Sequence, residues 1–176
     1  MKSRFWLFIM IILCLILQCT LMPAISIANV CPNLMIIFIV SMGLMRGKTC
    51  GLLVGFFCGI LCDLSFMVLG YYVVGFRAFI YMMIGYLCGY CYRIFYDDDI
   101  KMPVLLTTIS DFCYGILVYT FQFLLRGRVG FFYYLKRIIL PEVVYTIVLT
   151  LVLYRFFLSI NRKIEKADKR SVDSFV

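Results

Sequence analysis

Apolar residues in this chain run on for stretches long enough to cross a bilayer, with only short polar connections between them. A helix needs about 20 mainly apolar residues to cross roughly 30 Å of hydrocarbon. Six such stretches are predicted: Phe5 to Met22, Cys31 to Met45, Thr49 to Leu69, Tyr71 to Tyr92, Met102 to Leu125 and Ile138 to Ile160. The second is short, and its Pro32 and Asn33 follow an uncharged run from Pro23 to Val30. That run has the character of a segment dipping into the outer interface as much as of an ordinary loop, and backbone at such depth must be covered by protein. The pattern predicts an all-α integral membrane protein, a compact bundle of six transmembrane helices. It assigns residues 1–164 to the membrane domain and 165–176 to a short, polar, frayed cytoplasmic tail.

Composition strengthens this reading. With 65% hydrophobic residues and a mean hydropathy of +1.04, the chain lies far from a globular composition, so its length counts spans and leaves no room for a soluble domain. Lys2, Arg4, Arg46, Lys48, Arg93, Lys101, Arg162, Lys163, Lys166, Lys169 and Arg170 all fall on one side of the predicted threading. That side, with both termini, is expected to be cytoplasmic. Arg126, Arg128, Lys136 and Arg137 oppose the rule locally in the fifth connection. The net charge of +8 is scattered along membrane edges, which fits topology signals and contact with anionic lipids, and no nucleic-acid partner is expected. The basic start and apolar run of the amino terminus imitate a signal peptide, but the run is too long for a typical h-region and further spans follow, so a retained first helix is expected.

Glycines recur every fourth residue at Gly51, Gly55 and Gly59, and again at Gly85 and Gly89. Lipid tails are as apolar as leucine, so helices associate through close packing, and such a row lets two backbones approach. The approach is either within the bundle or to a partner helix docking on the third span. The nine cysteines lie mostly inside predicted spans, where a thiol acts as a small packing residue. Cys88 and Cys91 match a redox spacing, but there is no second pair and no histidine, so neither a metal nor a redox site is expected.

Apart from Arg155, which is near the inner end of the last span and can snorkel to the interface, four charged residues fall within spans, at Asp63, Arg77, Asp111 and Glu142, and each must turn toward the bundle or water. The helical rise places Asp63, Arg77 and Glu142 about 6 to 10 Å outside the midplane, in one layer where Arg77 is expected to pair with either acid or both. Asp111 falls about 4 Å on the other side, where hydrogen bonds to the nearby Ser110 and Thr107 are expected. Pro141 before Glu142 reads as the first turn of the last span. Phe131, Phe132, Tyr133 and Tyr134 would anchor the fifth connection at the outer interface. Asp97, Asp98 and Asp99 form an acidic run in a cytoplasmic turn, read as a solvated stretch or as a dock for a basic surface. No P-loop, HExxH or G-x-S-x-G pattern is present, so no enzymatic activity, catalytic residue or cofactor is expected.

Gln18 and Thr20, Pro32-Asn33-Leu34, Gly43-Leu44-Met45-Arg46-Gly47, and Gly51, Gly55, Phe56, Gly59 and Asp63 follow one another at intervals that resemble the MreD family over nearly the whole chain. Gly75, Gly85-Tyr86 and the Arg137 to Glu142 segment continue the likeness. The resemblance implies a noncatalytic subunit of the bacterial cell-elongation machinery in the inner membrane. It would work with MreC, the actin-like MreB filament and the transglycosylase and transpeptidase that build lateral peptidoglycan. It also implies a fold similar to the six-helix substrate-binding components of energy-coupling-factor transporters, which supplies the runner-up reading of a vitamin-binding subunit. Pro32, Asn33, Arg46, Gly47 and Asp63 are the family-like positions expected to shape the bundle or its partner surface.

Overall fold

The computed structural model describes residues 2–26, 31–67, 75–91, 101–121 and 131–173, and all regular structure among them is helical. The main helices are α1 (Lys2–Ala24), α2 (Leu34–Arg46), α3 (Lys48–Met67), α4 (Phe76–Tyr90) and α5 (Lys101–Tyr119). A last continuous helical stretch comprises the short α6 (Phe131–Tyr134), a π-helical segment (Leu135–Ile139) and α7 (Leu140–Asp173). Among the described residues, four stretches are long and apolar enough to cross a membrane: Phe5–Ala24, Lys48–Ser65, Lys101–Tyr119 and Leu135–Lys163. With 13 and 15 residues, α2 and α4 are only about 20 Å and 22 Å long and fall short of the hydrocarbon thickness by themselves. The acidic run Asp97 to Asp99, along with Arg93, Arg126 and Arg128, lies outside the described residues.

Helix α2 is the centre of the bundle. It is apolar on every side, and Leu34 through Val40 are at most 1% exposed. A helix of this kind is stable only when other helices surround it, and α1, α3, α4, α5 and α7 all pack on it. The surrounding helices turn their other faces outward, where Phe5, Trp6 and Phe8 of α1, Phe57 of α3, Leu87 of α4 and Val152 of α7 offer apolar surface suited to acyl chains.

The closest approach is between α3 and α4. A Cβ on Gly51 would overlap the Gly85 carbonyl, one on Gly55 the Tyr81 carbonyl, and one on Gly59 the Ala78 backbone. Reciprocally, a Cβ on Gly85 would strike the Gly51 carbonyl and one on Gly89 the Lys48 backbone. The two glycine rows therefore face each other in an antiparallel ladder within the chain. Gly47 alone separates α2 from α3; its φ of 84° is a conformation side chains resist, and its amide bonds the Gly43 carbonyl at 2.9 Å.

Two local features depart from the sequence pattern. The last helix already begins at Phe131, so Pro141 lies inside a continuous helix and does not open one. A proline there removes a backbone donor and crowds the carbonyl four residues back. The π-helical turn just before it widens the coil, and the Leu140 amide reaches back to the Leu135 carbonyl. The aromatic run from Phe131 to Tyr134 is accordingly a helical turn, with Arg137 over the Tyr133 ring at 5.4 Å and bonded to its hydroxyl. At the far end α7 continues to Asp173, so the backbone of the polar stretch is helical where fraying is expected.

Candidate functional site

The polar residues of the bundle gather at the amino-terminal end of α2. Asn33 caps that helix, its side-chain oxygen accepting the Ile36 amide at 3.3 Å. Gln18 of α1 clamps the same turn from outside: its oxygen accepts the Leu34 amide at 2.8 Å and its nitrogen donates to the Pro32 carbonyl at 3.3 Å. Two of the amides that a helix start leaves without partners are thereby satisfied by side chains. The Asn33 amide donates to the Thr146 hydroxyl of α7 at 3.4 Å, and its side chain meets the Tyr81 hydroxyl of α4 at 3.2 Å. One asparagine thus ties α2 to α4 and α7.

Because α2 stops short of the bundle's end, a cavity of about 360 Å³ opens beside this turn. Gln18, Pro23 and Ser26 line it from α1 and its end, Cys31 and Asn33 from the approach to α2, and Cys62 from α3. Arg77 and Tyr81 line it from α4, Tyr114 from α5 and Glu142 from α7. The Tyr81 and Tyr114 rings pack with centroids 5.4 Å apart and form an aromatic wall. Arg77 and Glu142 are half-buried and exert an electrostatic attraction on each other.

Asp63 has a different task. Its Oδ2 accepts the Gly75 amide at 2.7 Å, which holds the carboxyl-terminal end of α3 to the start of α4. Gly75, the residue before the first turn of α4, has φ of 96° and no side chain to cap that turn, and the carboxylate satisfies its own amide. The other Asp63 oxygen is buried without a hydrogen bond.

The sequence pattern places Asp111 with Ser110 and Thr107, but the structure turns it elsewhere. Ser110 lies 3.6 Å from the Cys88 sulfur, and the buried Thr107 hydroxyl has no partner. Asp111, 2% exposed, is turned toward α7, where it interacts electrostatically with Thr146 and Glu142, and no hydrogen bond of ordinary geometry closes on either of its oxygens. Periodicity along α5 alone gives no sign of this, because the partners come from a helix more than 30 residues further along the chain.

Of the other sequence-predicted positions, Pro32 is buried beside Asn33, and Arg46 at the opposite end of α2 donates to the Asn161 side chain of α7 at 2.7 Å. Gly47, Gly51, Gly55 and Gly59 serve the α2/α3/α4 contacts already described. Gln18, Tyr81, Tyr114 and Thr146 join the site without having been singled out for it. The signal that marks them is a polar or amphipathic side chain in mid-span, weaker than a charge. Among the described residues no group of three or more acids and cysteines is arranged to hold a metal ion. All nine cysteines are free, with Cys88 buried and Cys91 half-buried at the end of α4.

A bundle of apolar helices, four of them among the described residues of membrane-crossing length, closed around the apolar α2 with a polar cluster at one of its ends and facing outward with bulky apolar side chains, defines a multi-pass membrane protein. The family model described as rod shape-determining protein MreD matches residues 1–164. The chain belongs to that family, and its role is in the determination of rod shape. No curated protein and no solved structure matches the chain significantly.

Proposed function

We propose that this chain is a noncatalytic membrane subunit of the cell-elongation complex that binds MreC and helps position lateral peptidoglycan synthesis. The observation that carries the reading is the family match over residues 1–164, which takes in nearly all of the bundle. The contact with MreB and with the transglycosylase and transpeptidase is direct or through MreC. The threading is six-span in the inner membrane with both termini cytoplasmic, similar to the substrate-binding components of energy-coupling-factor transporters. In it, α2 and α4 reach across because the bundle covers their ends.

The glycine rows are already occupied by α3 against α4, so they shape the bundle, together with Pro32, Asn33, Arg46 and Gly47, and the partner docks elsewhere. A shallow groove of about 770 Å³ between α5 and α7, lined by Lys101, Val104, Leu105, Thr108, Ile109 and Leu151, is apolar along its length. It suits a single transmembrane helix, which would gain close packing there that lipid does not supply. The cavity beside α2 favours the second reading, a solute-binding component of a transporter.

The test is copurification with MreC in mild detergent, comparing wild type with Leu105→Trp and Thr108→Trp in the groove. Retention of MreC by wild type and its loss from both folded variants is the expected result. Wild-type protein that never retains MreC removes the reading, and transport of a vitamin by the reconstituted chain with an energising module would replace it.

A further inference from the structure

We infer that the cavity beside α2 is a binding site for a small zwitterion carrying an ammonium and an acidic group. Arg77 and Glu142 bring opposite charges to the wall of one space of about 360 Å³, large enough for a molecule of that class. Glu142 is half-buried in the cavity wall, where a carboxylate is costly unless cations or hydrogen-bond donors surround it. Tyr81 and Tyr114 stand beside it as an aromatic wall. A carboxylate with aromatic faces is a recognition site for ammonium, which the ring quadrupole and the negative charge both attract. On the other side the Arg77 fork suits a carboxylate or phosphate, and the Asn33 amide group stands in the same wall.

Asp63 leaves the charges of this cavity to Arg77 and Glu142, because its carboxylate is engaged with the Gly75 amide. Two sources carry this chemistry: the phosphoethanolamine headgroup of a membrane lipid, and a free amino acid. The inference is independent of how MreC binds.

The experiment uses the full chain in phosphatidylglycerol nanodiscs and reads thermal unfolding with added glycerophosphoethanolamine or glycine. A concentration-dependent rise in Tm with either zwitterion is expected, and none with ethanolamine or glycerophosphate alone. Glu142→Gln and Arg77→Gln should each weaken the apparent affinity about tenfold or more, the scale of one charge-assisted contact. Should both variants fail to fold, Ser26→Phe at the cavity's edge keeps every charge and should abolish the rise by filling the space. In phosphatidylethanolamine nanodiscs, loss of the response to added probe identifies the lipid headgroup as the source, and persistence identifies a free solute. No rise with either probe, or a rise that survives Ser26→Phe, overturns the inference.

Discussion

The Asp63 carboxylate accepts the Gly75 amide at 2.7 Å and so ties the end of α3 to the start of α4. Removing that acceptor leaves the half-buried amide without a protein partner. Asp63→Ala is expected to cost about 1 to 3 kcal/mol, read as a lower Tm in detergent, whereas Asp63→Asn keeps an acceptor oxygen and should recover most of the loss. Equal behaviour of the two variants would show that charge matters there and the hydrogen bond does not.

Gly55 and Gly75 separate two reasons for a glycine. A side chain on Gly55 drives into the Tyr81 carbonyl, so Gly55→Leu should destabilise the chain by about 3 kcal/mol or more through overpacking. Gly75 has open space around it and a φ of 96°, so Gly75→Ala should cost only the backbone term of about 1 to 2 kcal/mol. Loss of MreC from Gly55→Leu is then expected only together with loss of the fold. Folded Gly55→Leu protein that lacks MreC would instead return the glycine row to the partner surface.

Gln18 is expected to matter far more than an exposed residue of α1 such as Phe5. Gln18→Leu removes the acceptor for the Leu34 amide at the start of the central helix and should cost about 1 to 3 kcal/mol, with faster hydrogen exchange at Leu34 and Met35. Phe5→Leu, on the outward face, should leave both measurements unchanged.

Cys88 and Cys91 share a redox spacing but not an environment. Cys88 is buried against Ser110, while Cys91 is half-buried at the end of α4, so a membrane-permeant maleimide should label Cys91 about tenfold faster or more. Cys91→Ser is expected to leave cell shape unaltered, counted as the length-to-width ratio of complemented cells.

The six apolar stretches correspond to the main helices, yet their limits shift where side chains from elsewhere intervene. Pro141 carries a strong helix-start signal, and a π-helical turn absorbs it because Leu135 to Ile139 already continue a helix from Phe131. Asp63 and Asp111 are conspicuous as charges in apolar runs, but charge alone does not say that one holds the Gly75 amide and the other is turned toward α7. The Gly51, Gly55 and Gly59 row announces a close approach, and either α4 or a partner's helix satisfies that signal equally.

Apolarity along the chain determined that this protein is built of helices in lipid, because the cost of inserting each segment is nearly a sum over its own residues and requires no knowledge of neighbours. Which helices touch was decided by the tertiary structure alone. Lipid and leucine are equally apolar, so contacts are selected by the fit of glycine against carbonyl and by hydrogen bonds between helices distant in the chain. For the same reason the short, wholly buried α2 and the charged cavity at its end emerge only once five other helices are in place around it.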